Sequence, residues 1–243
     1  MSQSFKDRLK TAVENLAPQF QEIGEQDMHT LLQAGATSFE RARALCADCH
    51  VPAKVRSLAC WALGRMGDKD AIPSIIRALE EDDEPSVRAG SAHALGELDD
   101  PVAVEPLIRA LTMDPSTDVR RMAAWSLGRI GDDSALNPLV AVLSNPKDDP
   151  SLRAECAEAL GELGLEAAVM PLLEALCDTS AEVRFFAAFA LGLIGDPAAL
   201  PALQHMAATD EGIAQGWGPV REEAADAIKA INVRSRRGAS RDA

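Results

Sequence analysis

The chain has 243 residues, no Tyr, 4% aromatic residues and a formal net charge of −14. That charge disfavours a nucleic-acid backbone or an anionic membrane as a general partner, and no apolar run approaches the length needed to span a bilayer. Met1 to Lys10 lacks the apolar segment of a signal peptide, and five Cys (46, 49, 60, 156 and 177) suit reduced thiols, so a cytoplasmic protein is expected.

In chain order, Phe5, Leu9, Val13, Leu16, Phe20 and Ile23 recur every three or four positions, which predicts one amphipathic helix. It lies outside the repeat described below and reads as an amino-terminal cap. Asp27 to Gly35 and Ser38 to Cys49 follow as a degenerate helical hairpin, so 1–54 is taken as cap plus degenerate repeat. Cys46-Ala-Asp-Cys49-His50 ends it. The C-x-x-C-H spacing matches covalent haem attachment, and Cys46, Cys49 and His50 are weak candidates for zinc or an iron–sulfur cluster. A closed zinc site needs a fourth ligand, and a purely structural or redox role is the competing reading. No cofactor is expected.

From Val55 onward one pattern repeats, starting at Val55, Val87, Val119, Leu152, Val183 and Val220, at intervals of 32, 32, 33, 31 and 37 residues. A period of this size is the mark of stacked helix pairs. With the first residue of each unit numbered zero, position 1 is always Arg: Arg56, Arg88, Arg120, Arg153, Arg184 and Arg221. Positions 4, 5 and 7 are small and position 8 is Leu or Ile, a face able to lie close to a neighbouring helix. Gly67, Gly131, Gly164 and Gly195 at position 12 are expected to end the helix in the left-handed conformation. The Asp that follows (Asp68, Asp100, Asp132, Asp196) is expected to cap the next helix. That helix carries Pro73, Pro106, Pro138, Pro171 or Pro201 near its start, which either delays or bends it. The architecture expected is all-α: an α-solenoid, or superhelix, of stacked antiparallel helix pairs. Five full repeats occupy 55–219, a single capping helix 220–231 and a basic disordered tail 232–243, with Arg234, Arg236, Arg237 and Arg241. The long connection 209–219, with three Gly, a Trp and a Pro, reads as either an ordered loop or a floppy one.

The pattern V-R-x-x-A-x-x-A-L-G-x-x-G-D followed by Pro resembles the short HEAT-like repeats of the phycobilisome (bilin) lyase type, over roughly Val55 to Ile231. The resemblance implies the solenoid fold. On function it leaves bilin lyases, hydroxylases and adaptors open, since one scaffold serves all of them. The hydroxylases bind iron through His-Glu pairs, and no such dipeptide occurs here.

Two features invite a site. The Arg column is either an anion-binding row or a ladder of Arg–Asp pairs, since Asp82, Asp114 and Asp178 each precede the next Val by five residues. Columns 2, 3, 6 and 10 do not follow the consensus and share one stripe of the helix. In the fold this resemblance implies, they line the concave face. They hold Trp61, Arg65, His93, Arg121, Met122, Trp125, Arg129, Glu155, Glu158, Glu162, Phe185, Phe186 and Phe189. Large aromatics and charges on a surface the fold leaves free point to binding. The function expected is therefore a non-catalytic protein-binding scaffold or adaptor that grips a helix or small domain of another protein in the concave groove. The partner is expected to be neither nucleic acid nor membrane. The alternatives are a bilin lyase or chromophore-handling factor acting on phycobiliproteins and, from Cys46 and Cys49 alone, an accessory factor in iron–sulfur assembly.

Overall fold

The computed structural model describes residues 5–14, 25–46 and 48–239. They fall into two compact units, 1–126 and 127–243, each made of stacked antiparallel helix pairs, so the fold is of the all-α solenoid class. Unit 1 holds α1 (Phe5–Glu14), α2 (Glu25–Gln33) and α3 (Phe39–Cys46). It continues with the pairs α4 (Ala53–Arg65) and α5 (Ile72–Glu81), then α6 (Pro85–Leu98) and α7 (Val104–Met113), and takes in most of α8 (Thr117–Ile130). Unit 2 holds the end of α8, then α9 (Leu136–Leu143), α10 (Pro150–Leu163), α11 (Val169–Ala175), α12 (Ala181–Ile194) and α13 (Leu200–Thr209). A two-stranded hairpin, β1 (Ile213–Ala214) and β2 (Gly218–Pro219), leads into α14 (Val220–Ala239).

The helix ends follow the local chemistry. Gly67, Gly131, Gly164 and Gly195 take φ of 67–82° at the ends of their helices, the left-handed turn that glycine adopts without strain. Asp99 fills the same role at φ 49°. Asp100, Asp132 and Asp196 accept hydrogen bonds from the amides of Val102, Ser134 and Ala198. Asp68 makes no such cap; its carboxylate is taken by Arg43, 2.7 Å from Nε. A one-turn 3-10 segment separates each of these positions from the Pro-bearing helix, for instance Lys69–Ala71 before α5 and Pro197–Ala199 before α13. Each of these α-helices therefore begins late, with Pro in its first turn, where a missing donor costs nothing.

Close backbone contact, more than side-chain bulk, builds the core. A Cβ placed on Gly64 would lie 2.8 Å from Ala94 Cα, and one on Gly161 would lie 2.6 Å from Ala190 Cα. Gly192 meets Ala227 in the same way, at 2.9 Å. Position 9 of one repeat thus touches position 7 of the next. Leu63, Leu95, Leu127, Leu160 and Leu191 at position 8 are wholly buried. This arrangement lets a chain so poor in aromatics reach interior packing density.

At the amino end α1 is described over Phe5–Glu14; the Val13 side chain and residues Leu16, Phe20 and Ile23 lie outside what the structure describes. Phe5 and Leu9 are buried, Phe5 edge-on to Phe39, and Arg8 donates to the Met66 carbonyl just beyond α4. At the other end, α14 runs on through 232–239, where no structure was expected. Arg234 turns back to donate to the Leu193 carbonyl beside Gly195, which places a cation at the negative end of α12. Arg241 lies outside the described residues.

Candidate partner-binding surface

The Arg column forms a ladder. Arg56 Nε and Nη2 each donate to Asp82 at 2.7 Å, and Arg88 grips Asp114 at 2.7 and 2.9 Å. Arg184 holds Asp210 at 2.7 and 2.9 Å, and Arg153 pairs with Asp178. Arg88 Nη1 also donates to the carbonyls of Asp82 and Asp83, tying its helix to the preceding pair. Arg120 donates instead to the Leu111 carbonyl at 2.7 Å. Burial opposes the effect, but hydrogen bonds from Arg56 and the Glu84 amide hold the Asp82 carboxyl below its usual range. With Arg56, Arg88, Arg153 and Arg184 each engaged with a carboxylate, these four rungs are structural rather than an anion row. Asp210 was missed in the sequence because the insertion after it breaks the count back from Val220. Counting forward from each Arg recovers it, since Arg56, Arg88 and Arg184 each precede their partner by 26 residues.

In unit 1 the variable stripe is more occupied than expected. Trp61 and His93 are only 7% and 8% exposed. Trp125 is half-buried, and its ring stacks on His93 at 4.7 Å with the planes 3° apart. Arg65 forms an ion pair with Glu97 at 2.8 Å, and Arg121 lies 3.6 Å from Asp118. The expectation that these aromatics and charges stand free therefore fails for Trp61, His93 and Arg65. Arg121, Met122 and Trp125 remain half-exposed.

In unit 2, Phe185 and Phe186 are 8% and 6% exposed, again against expectation, while Phe189 is half-exposed. Phe186 packs edge-on against Phe189 at 6.5 Å and against Trp217 at 5.1 Å. Trp217 comes from the 209–219 connection, which is ordered: Gly212 N–H donates to Asp210, and Val220 N–H donates to the Gly212 carbonyl. Gly216 and Gly218 supply the positive φ the turn needs, 81° and 131°. Trp217 was not among the expected site residues, because it lies outside the helical period; its aromatic character inside a Gly-rich insertion was the available signal.

The acidic part of the stripe is electrostatically strained. Glu155 and Glu158 are half-buried, Glu162 and Arg129 exposed. Burial, then the neighbouring Glu162 charge, pushes the Glu158 carboxyl up, and among the described residues no cation forms an ion pair with it. Burial also raises Glu162, against the pull of Arg129. Burial and Asp226 raise Glu223. Glu158→Gln is expected to raise stability by about 0.2–0.5 kcal/mol at neutral pH, the size of a like-charge pair one turn apart. A raised carboxyl pKa means that the penalty is present above the folded value and disappears as pH falls through it. Denaturant melts should therefore show the gain at neutral pH and none in acid.

The C-x-x-C pair does not converge. Cys46 is buried, and burial followed by a hydrogen bond with Cys60 holds its thiol well above the usual range. Cys49 is exposed beside His50, with Sγ 3.7 Å from Nδ1, and Asp48 rather than Cys46 completes that exposed group. The two Cys needed for a shared cluster thus face different surroundings. In the folded protein, a thiol reagent should label Cys49 and Cys177 quickly, with Cys46, Cys60 and Cys156 reacting only on unfolding. Peptide mapping after a brief exposure would check this.

Comparison with known proteins places these features in context. A family model described as HEAT repeats matches residues 44–121, 102–149 and 138–229. The phycocyanobilin lyase subunit alpha of Picosynechococcus sp. is 45% identical over 64 residues, which is 26% of this chain and 24% of that protein. Among solved structures, the complex of CpcE and CpcF of phycocyanin lyase from Nostoc sp. matches with TM-score 0.51 at 18% identity, covering 95% of this chain and 96% of that one. Computationally designed armadillo repeat proteins for modular peptide recognition match with TM-score 0.52 at 18% identity, covering 79% and 99%. At these identities the structural likenesses speak for the fold alone. Among the described residues no helix is long and apolar enough to cross a membrane.

Proposed function

This chain belongs to the HEAT-repeat family, and from that premise we propose that it is a protein-binding scaffold whose partner lies on the variable stripe of its Val–Arg helices. One observation carries the reading. Repeat-to-repeat packing is done by Gly at position 9 against Ala or Ser at position 7, so the fold does not require large residues at positions 2, 3, 6 and 10. Such residues nevertheless remain partly exposed there: Arg121, Met122 and Trp125 in unit 1, and Glu155, Glu158 and Phe189 in unit 2. Partly exposed aromatic and charged residues at positions that repeat stacking does not use are the usual material of a binding surface. Two of the buried rings support exposed ones: His93 stacks on Trp125, and Phe186 packs edge-on against Phe189.

The test is capture of partners from a cell extract of the source organism, identified by mass spectrometry. Trp125→Ala and Phe189→Ala should each weaken capture by about tenfold or more with the fold intact. Substitutions at exposed positions of the Pro-bearing helices, such as Met170→Lys (64% exposed), should leave it unchanged. The reverse pattern would place the site on the other face. A second reading, a bilin lyase or chromophore-handling factor, is favoured by the 64-residue stretch that is 45% identical to the phycocyanobilin lyase subunit. Adding phycocyanobilin and recording the visible spectrum separates the two, since a saturable absorption shift would support the second reading.

A further inference from the structure

Resting on the scaffold reading, we infer that the face of unit 2 around Trp217 is a docking site for a basic amphipathic segment: a partner protein's helix or strand that places one large apolar side chain between lysines or arginines. Three independent observations lead there.

The first is a rigidly presented apolar surface. Trp217 and Ile213 are 61% and 67% exposed. They do not sit on a loose loop: the hairpin is fixed at its base by Asp210, which is itself gripped bidentately by Arg184. Trp217 rests on Phe185 at 6.5 Å and on Phe186 at 5.1 Å, so the indole is supported on one side while 61% of the residue stays exposed. A disordered loop would hide or average such a ring, whereas an ordered one keeps its anchor pre-organised and lowers the entropy lost on binding.

Position is the second. The hairpin is the longest insertion in the repeat, 37 residues separating Val183 from Val220 where the other starts lie 31–33 apart. The extra residues contribute nothing to the position 7 and 9 contacts between α12 and α14, which Gly192 and Ala227 make.

The third observation decides the occupant. On α10, α12 and α14, which pack in that order, column 6 reads Glu158, Phe189 and Asp226. Columns 2, 3 and 10 add Glu155, Glu162, Glu222 and Glu223. The aromatic centre is therefore flanked by carboxylates on both neighbouring helices. Among the described residues, Arg129 lies beside Glu162 and Lys229 is 2.6 Å from Asp226, while no cation forms an ion pair with Glu158. A ligand with a large apolar group flanked by Lys or Arg would cover the ring and neutralise carboxylates that the fold holds close together. An acidic or neutral ligand would bury Glu158 and Glu223 without supplying a counter-charge.

The experiment uses the full chain and two fluorescently labelled amphipathic peptides of the same apolar pattern, one with Lys on its polar face and one with Glu. The Lys peptide should bind in a salt-dependent way and the Glu peptide should not. Trp217→Ala should weaken the Lys peptide by about tenfold or more. The pair Glu158→Gln and Glu162→Gln should weaken it by a similar factor and flatten the salt dependence. Circular dichroism should be unchanged in every variant. Equal binding of both peptides, abolished by Trp217→Ala, would overturn the basic partner while leaving the scaffold reading in place. Lys-peptide binding indifferent to all three substitutions would mean attraction to the net charge alone and would overturn the site. Partner capture lost in Trp125→Ala but untouched by Trp217→Ala would do the same while sparing the scaffold.

Discussion

Arg56→Ala should destabilise unit 1 by about 3–5 kcal/mol, because it leaves the Asp82 carboxylate buried without its counter-charge. The two side chains are 8% and 7% exposed, and the pair is bidentate. Arg56→Lys should recover only part of the loss, since an ammonium cannot make the paired contact that the planar guanidinium makes. The double variant Arg56→Ala with Asp82→Ala should be more stable than the sum of the single losses predicts, as expected of partners in direct contact. A pH series supplies an independent check. The Asp82 carboxyl is held below its usual range. Its contribution is therefore fully present above the unfolded pKa of about 3.9 and is lost as pH falls through the folded value. The wild-type protein should lose this increment in acid, and the double variant should lack that part of the pH dependence. If Arg56→Ala melted within about 0.5 kcal/mol of wild type, the ladder would be a surface pairing of little weight.

How much of this was legible in the sequence depends on whether a feature repeats. The Arg column, the Leu at position 8 and the Gly that ends each helix recur because every repeat meets the same neighbours, so stacking imposes the same demands at each register. Asp82, Asp114 and Asp178 could be read for that reason, and Asp210 was lost only because the next repeat starts late. Column 6 was half legible. Its exposure was expected because the column departs from the consensus and because the family resemblance puts it on the concave face. A large ring in the same place lies back over its neighbours: Trp61 at 7% and His93 at 8% exposure are consequences of their own size. Burial here is a property of the side chain as much as of the position. Trp217 could not be found by register at all, since it stands in the one stretch the period skips. The run of Arg after Ile231 carries no apolar periodicity, so nothing in it announced the continuation of α14 to Ala239 or the contact of Arg234 with the end of α12.

Gly161→Val should destabilise unit 2 by about 3 kcal/mol or more, through overpacking rather than through any loss of contact. The first side-chain atom alone would stand 2.6 Å from Ala190 Cα and 2.7 Å from its Cβ, with Leu193 Cδ1 at 3.3 Å. The obstacle is the backbone of α12, which no rotamer change can remove, so α10 and α12 must separate. Gly161→Ala tests the balance of two opposed effects. Intrinsic helix propensity favours Ala over Gly by about 1 kcal/mol, so a net loss of about 1–3 kcal/mol would show that the steric cost dominates. Gly90 is the control: it too is helical, but the three atoms nearest a Cβ there all belong to Ser57, and the close one, at 2.6 Å, is an exposed hydroxyl that can rotate away at the cost of its hydrogen bond to the Ser86 carbonyl. Gly90→Ala should therefore be near neutral. If both alanines behaved alike in denaturant melts, close approach at position 9 would not be what sets the spacing of the helices. The same separation should reach the surface, because Glu158 and Phe189 are carried on α10 and α12. A Gly161→Ala protein that still folds should bind a stripe-directed partner more weakly, even though Gly161 is buried and touches no ligand. Such a loss would tie the small residues of the core to the large residues of the surface, the first fixing the distance at which the second can act together.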